Sequence, residues 1–234
     1  RIPIGERAKE LVVDIELLCA DRQLAYSLVG CIEKAGLQVM DIYLDTYAAA
    51  KEAALFEQSV DRNVVLLKME REATTVARLS KGKLMESTIV PLGVGSIAAR
   101  VVDEYGLKRE EACELVKYSA RLNEKVNSTN PVYIWSANGN AKKITEAELC
   151  KCISPLVSKW VEDMQKILSG ILQAGPSTVI ITGEGGEMQG LNELLQSSLK
   201  CEVRNYIPET LGARNAGMTT CLGLFYAYKD KLPI

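Results

Sequence analysis

An apolar run, Val179-Ile180-Ile181, meets Thr182-Gly183-Glu184-Gly185-Gly186-Glu187 and then a helical pattern opening near Leu191. A strand, a tight turn and a helix follow from that order, because glycine alone takes positive φ freely and lets the backbone come close to another group. The N-terminus of the following helix adds unpaired N–H groups and a positive dipole end. Such a turn either seats a phosphate or nucleotide or simply packs a strand against a helix. The spacing is not Gly-x-x-x-x-Gly-Lys-Ser/Thr, so a Walker loop is excluded.

Composition removes several classes of chemistry. The 234 residues include no histidine, which excludes Ser-His-Asp and Cys-His catalysis and His-bearing zinc sites. A net charge of −2, with no dense Lys/Arg block, gives no field for nucleic acid, which is not expected as a partner. Seven cysteines are scattered without a Cys-x-x-Cys pair and read as reduced thiols of a cytoplasmic protein. No apolar run approaches the about 20 residues that span a bilayer. The chain opens on Arg1 rather than Met. The expectation is a fragment whose flanking pieces could carry an anchor or targeting signal.

Residues 11–18 alternate as a half-exposed strand, with Asp14 and Glu16 guarding its edge, and Asp21 caps a helix running through Leu24, Leu28 and Ile32 to Gly36. Residues 39–44 read as another strand, followed by an alanine-rich helix over 48–55 capped by Asp45 or Thr46. Residues 64–68, 74–79 and 83–90 form a meander. Helices are expected over 93–105, ended by Gly106, and over 109–122. Asn138-Gly139 marks a hairpin, and Thr145-x-x-Glu148 is a capping box opening a helix that continues to about Gln173. After the glycine turn come a helix to Leu199, a short strand near Val203 and a helical run through Ala216, Thr220, Leu224 and Tyr228. Glu111, Glu114, Lys117 and Arg121, three and four apart, suit a solvated ion-pair face. Cys150 and Cys152 point to different faces of their helix and do not make a metal site. Trp135 and Trp160 read as core aromatics.

This order of pieces resembles the second half of the actin-like ATPases. More narrowly, residues 179–191, Thr219-Thr220-Cys221-Leu222-Gly223-Leu224, residues 21–36, 93–95, 138–139 and 149–155 resemble the bacterial cell-division protein FtsA. The resemblance covers nearly the whole chain. It implies an α/β fold, an actin-like (ribonuclease H-like) ATPase lobe formed by residues 38–92 and 150–234. A smaller α+β subdomain is inserted at 93–149, and residues 1–37 are the tail of an interaction subdomain. It also marks Thr182, Gly183, Gly185 and Gly186 as the candidate nucleotide-contacting positions, with no catalytic residue and no protein metal ligand assigned.

The departures from that family matter as much. Its phosphate loop reads Asp-x-Gly-Gly-Gly-Thr, whereas this chain has Lys68-Met69-Glu70-Arg71-Glu72-Ala73. A cation replaces the metal-holding carboxylate, and β-carbons and acidic groups replace the glycines that approach phosphate. Aligned on Tyr118-Ser119-Ala120, the family's ribose-contacting Glu and Lys become Ala112 and Leu115, unless Glu111 or Glu114 substitutes. The expectation is a pseudo-ATPase with no cofactor and Glu70-Arg71-Glu72 as a solvated charged turn. The alternative is ATP held through Gly183 to Gly186, with Mg²⁺ on Glu70 or Glu72.

By resemblance, the function is an adaptor that couples the tubulin-like FtsZ filament to the cytoplasmic face of the cell membrane and self-assembles into filaments. The FtsZ tail would dock on residues 93–159. There the family's basic residue after Glu-Pro is replaced by Leu156 after Ser154-Pro155, with Lys159 one turn on. The family's membrane anchor would follow Tyr228, outside this sequence. An ATP-dependent enzyme of the same superfold, such as a sugar or acetate kinase or a reductive activator, and a pilus-assembly adaptor are the competing readings.

Overall fold

The computed structural model describes Arg7, residues 9–10, Val12 and residues 17–122, 128–137, 139–172 and 177–229. Two units are present, Arg1–Ile42 and Tyr43–Ile234. In the first, helix α1 (Arg22–Lys34) begins where the Asp21 carboxylate accepts the Leu24 N–H at 2.7 Å, the cap that the sequence announces. The strand expected at 11–18, with Asp14 and Glu16, falls largely outside the described residues.

The second unit is built on a five-stranded sheet of order β3-β2-β1-β6-β7. Its strands are β1 (Asn63–Met69), β2 (Thr74–Ser80), β3 (Lys83–Val90), β6 (Ser177–Thr182) and β7 (Glu202–Asn205). The meander β1–β2–β3 is antiparallel, while β1, β6 and β7 run parallel. In β1 and β6 the apolar residues are buried on both faces, so these strands read as continuous apolar runs. One face carries Val65, Leu67, Met69, Val76, Val179 and Ile181, which share a core with α4 (Val94–Tyr105), α5 (Arg109–Tyr118), α6 (Glu146–Leu172) and α7 (Leu191–Leu199). The other face, with Val64, Leu66, Ala77, Leu79 and Ile180, is covered by α2 (Asp45–Glu52) and α3 (Leu55–Gln58). Helices on both sides of a mixed sheet make an α/β architecture.

A hairpin of β4 (Pro131–Ala137) and β5 (Asn140–Thr145) precedes α6. Gly139 takes φ +77° in its turn, and Asn138 lies outside the described residues. Thr145 and Glu148 form the expected capping box, with the Thr145 N–H on Glu148 Oε2 at 2.9 Å and the Glu148 N–H on Thr145 Oγ1 at 3.3 Å. Trp160 is 1% exposed and its indole N–H donates to Thr74 Oγ1 at 3.0 Å, a core aromatic as expected. Helix α8 (Thr219–Lys229) crosses α2 at contact distance, since a β-carbon on Gly223 would run into the Ala48 main chain.

Three expectations need correction. Residues 39–44 are not a strand: their apolar pattern is strand-like, but among the described residues no neighbouring strand pairs with them. Asp45 does not cap the next helix: Leu44 is the N-cap, and Asp45 sits in the first turn with one carboxylate oxygen on the Thr46 N–H at 2.6 Å. Lys117 is not solvated, its side chain being only 10% exposed beneath the Tyr118 ring and paired with Glu114 at 2.9 Å. Among the described residues, no helix is long and apolar enough to cross a membrane.

Candidate functional site

The parallel pairing of β1 with β6 brings the end of β1 and its following turn against the glycine turn after β6, with Lys68 opposite Thr182. Thr182, Gly183, Gly185 and Gly186 are therefore one cluster. Thr182 is fully buried, and its hydroxyl lies 2.7 Å from Thr219 Oγ1 and within hydrogen-bond reach of the Tyr206 and Ala216 carbonyls. Gly183 has φ +80°, a conformation that glycine alone takes without strain, and its N–H donates to the Ala216 carbonyl at 3.2 Å. A β-carbon there would sit 2.6 Å from the Met69 carbonyl oxygen.

Gly185 meets the Met69 side chain directly: a β-carbon would lie 2.6 Å from Met69 Cβ and Cγ. The space that glycine opens is thus filled by Met69, itself fully buried. Gly186 approaches the Ala216 methyl group, and its N–H closes the turn onto the Gly183 carbonyl at 2.9 Å. The helix after β6 begins as a short 3-10 turn (Glu184–Glu187), and α7 starts only at Leu191.

The β1–β2 turn is charged, with Arg71 and Glu72 exposed and Glu70 half-buried, and it is tied down by ion pairs. Lys68 is buried, with its ammonium 2.5 Å from Asp45 Oδ2, 3.4 Å from Glu70 Oε1 and 3.4 Å from Thr220 Oγ1, tying β1 to α2 and α8. Burial pushes the Asp45 carboxyl up, but the Lys68 ammonium and the Thr46 donors outweigh it and hold Asp45 below its ordinary 3.8. Arg71 reaches Glu184 of the glycine turn at 3.4 Å, and Arg109 at the start of α5 reaches Glu72 at 2.6 Å. The Glu184 charge raises the Arg71 pKa above its ordinary value. The same turn caps α4, for the Val94 and Gly95 N–H groups donate to the Glu70 and Arg71 carbonyls at 3.0 and 2.7 Å. Gly93 is required for that approach, because a β-carbon would meet the Arg71 carbonyl oxygen at 2.6 Å.

Ala112 and Leu115, the positions aligned with the family's ribose contacts, are buried in the core. Glu111 accepts the Lys108 N–H at 3.2 Å and Glu114 pairs with Lys117, so neither stands free as a substitute. Beside the glycine turn lies an open groove of about 610 Å³ lined by Tyr118, Gly186, Met188, Gln189, Asn192 and Ile207 among others. Glu187 closes one end, accepting from the Tyr118 hydroxyl at 2.5 Å and the Ala216 N–H at 3.2 Å, and that bond raises the Tyr118 pKa. Asp45, Glu184 and Arg109 carry no sign of these pairings in the sequence. The only signal they gave was charge, and their partners lie 23 to 113 positions away in the chain. Cys150 and Cys152 make separate contacts, to the Arg121 and Arg100 carbonyls.

The fold so assembled is that of the actin-like ATPases: the MreB5 of Spiroplasma citri bound to AMPPNP matches 90% of the chain and 66% of its own length with a TM-score of 0.70 at 13% identity. The PilM-PilN type IV pilus biogenesis complex matches 91% of the chain and 59% of its own chain with a TM-score of 0.69 at 17% identity. Within that fold the chain is FtsA-like: it is 26% identical over 217 residues, 92% of its length, to the cell division protein FtsA of Bacillus subtilis. It spans about half the length of the curated relatives it matches, 49% in that case. No protein-family profile matches the chain.

Proposed function

We propose that this chain is part of a division adaptor of the FtsA type, working as a nucleotide-independent scaffold that links a tubulin-like FtsZ filament to the cytoplasmic face of the membrane. Residues 93–149 are the inserted subdomain of this reading, and residues 1–37 the tail of another. Docking of the FtsZ tail uses the surface that includes Lys159. Self-association into filaments belongs to the same reading.

One observation carries the pseudo-ATPase part: each cation of the β1–β2 turn region is already matched to a carboxylate. Lys68 is held by Asp45 and Glu70, Arg71 by Glu184 and Arg109 by Glu72. A triphosphate with its metal needs unengaged carboxylate for the ion and free donors for phosphate, whereas Glu70 and Glu72 are paired with Lys68 and Arg109, and Lys68 and Arg71 with Asp45 and Glu184. The residues present do not fit that group, and the glycine of the opposing turn is spent on Met69. A second reading, in which Thr182 and Gly183 to Gly186 hold the adenosine part of ATP without the phosphate loop, is favoured by the open groove beside Gly186.

Co-sedimentation with FtsZ filaments tests the scaffold. The proposal expects the protein to pellet with the filaments equally with and without Mg·ATP, and expects Lys159→Glu to weaken that binding about tenfold through lost charge attraction. Pelleting only with ATP, or none at all, contradicts it.

A further inference from the structure

Glu52, the last residue of α2, holds a carboxyl oxygen, Oε2, that is closed off from solvent and has no hydrogen-bond partner among the described residues. The Tyr206 hydroxyl, on the segment after β7, stands 3.0 Å from the Glu52 main-chain carbonyl and 3.4 Å from Glu52 Oε1. Glu209 of that segment and Tyr226 of α8 border the same hollow, and Glu209 brings a charge of the same sign as an ionised Glu52. The cations of these segments are engaged. Lys51, next to Glu52 on α2, pairs with Glu57 of α3 at 4.0 Å, and Arg214 donates to the Glu209 main-chain carbonyl at 3.4 Å.

Counting hydrogens bears on the charge state. A phenol has one hydrogen, and two Glu52 oxygens face it, of which the main-chain carbonyl at 3.0 Å is the nearer. A phenol donating to a carboxylate closes to about 2.5–2.7 Å, well inside the 3.4 Å at Oε1. An ionised Glu52 would thus leave one oxygen far from its donor and the other with none, a desolvation cost that the neutral acid avoids. The electrostatics agree: burial raises the Glu52 pKa above its ordinary 4.5, and the Tyr206 contact offsets only part of that. Burial first, and then the Glu52 charge, push the Tyr206 phenol up to about 12, so below that pH only Glu52 of the pair changes charge.

We infer that Glu52 is carried as the neutral acid, its proton turned to the Tyr206 oxygen while the Tyr206 hydroxyl donates to the Glu52 carbonyl, and that this two-bond ring is a pH-sensitive latch between the end of α2 and the segment after β7. Loss of the proton to solvent opens the latch, because the carboxylate regains hydration by turning outward. The latched residue is tied to the strand that carries the glycine turn. The Tyr206 N–H donates to the Ile181 carbonyl at 2.8 Å, and the Tyr206 carbonyl accepts from the Thr182 hydroxyl at 3.2 Å. Its neighbours Asn205 and Ile207 wall the groove beside Gly186. Rising pH therefore loosens one wall of that groove, whatever the groove holds.

Carboxyl-detected ¹³C NMR titration of the protein tests this, with the Glu52 signal assigned by its loss in Glu52→Gln. Its midpoint is expected above the ordinary 4.5. Tyr206→Phe separates the two arrangements of the pair. It should lower the Glu52 midpoint, since it removes the oxygen that takes the acid's proton; a Tyr206 hydroxyl donating to a carboxylate would make the same substitution raise it. Amide hydrogen exchange at residues 205–210 should accelerate several-fold more than in the rest of the sheet as pH rises through the Glu52 midpoint. Glu52→Gln, whose amide donates at every pH, should remove that excess. Because the folded pKa is raised, the stability of the wild type relative to Glu52→Gln should fall as pH rises from 4.5 through the folded midpoint. A midpoint at or below 4.5, a midpoint raised by Tyr206→Phe, or the same pH-dependent exchange in Glu52→Gln as in the wild type would overturn the inference.

Discussion

Lys68 is the buried cation at the end of β1, and its neighbours show how it is tolerated there. A buried ammonium needs a carboxylate, and Asp45 supplies one at 2.5 Å with its own side chain 54% exposed. Asp45→Asn therefore leaves Glu70, at 3.4 Å, as the carboxylate facing Lys68, with the Thr220 hydroxyl also at 3.4 Å. It should cost about 2 kcal/mol, read as a lower urea midpoint with unchanged slope, less than for a fully buried pair because Asp45 keeps solvent contact. Glu70→Gln should cost less. Because the folded Asp45 pKa lies below its ordinary 3.8, the pair's contribution is complete above that value and is lost as pH falls through the folded pKa. The wild type should lose more stability than Asp45→Asn on acidification through that window, which urea curves at several pH values check. Gly185→Ala drives a β-carbon into Met69 and should cost about 2–3 kcal/mol. Met69→Ala should relieve part of that cost, giving non-additive free energies in a double-mutant cycle. Additive values with a near-neutral Gly185→Ala would mean the glycine's space is not filled by Met69. Much at this scale was legible, since Lys68 and the glutamates of the turn stand out against the family pattern. Their partners were not, because Asp45, Glu184 and Arg109 become neighbours only through the sheet pairing and helix packing.

At the scale of elements, local signals were read well wherever the cause is local. The Thr145–Glu148 box, the left-handed Gly106 ending α4, the Gly139 turn and the β1–β3 meander each follow from residues within a few positions. The segment at 39–44 failed for the opposite reason. Strand propensity describes a residue that fits a pleated neighbour, and none pairs there. The helix expected to run to Leu122 stops at Tyr118 because Arg121 bridges to Gln189 and its neighbour Leu122 donates to the Gln189 carbonyl, long-range contacts with no local signal. The α2–α8 crossing gives a prediction of its own. Gly223→Ala must separate two main chains now in contact at Ala48 and should cost about 3 kcal/mol or more, with a melting temperature lowered by several degrees. Thr145→Ala, which removes only a cap, should cost about 1 kcal/mol.

For the whole molecule, fold and chemistry separate. The glycine turn, the mixed five-stranded sheet and the crossing helices reproduce the actin-like lobe, while the turn that would face phosphate is closed by Lys68–Asp45, Arg71–Glu184 and Arg109–Glu72. A scaffold keeps the first set because the core depends on it, and loses the second without cost to stability when internal pairs replace the ligand. The sequence carried the actin-like fold and the charged turn after β1, but not the ion pairs that close that turn, which needed the geometry. Calorimetric titration of Mg·ATP into the protein measures that distinction directly. The proposal predicts no saturable heat at high micromolar protein. Micromolar binding that is lost in Gly185→Ala would contradict it and return an ATP-binding site at Thr182 and Gly183 to Gly186.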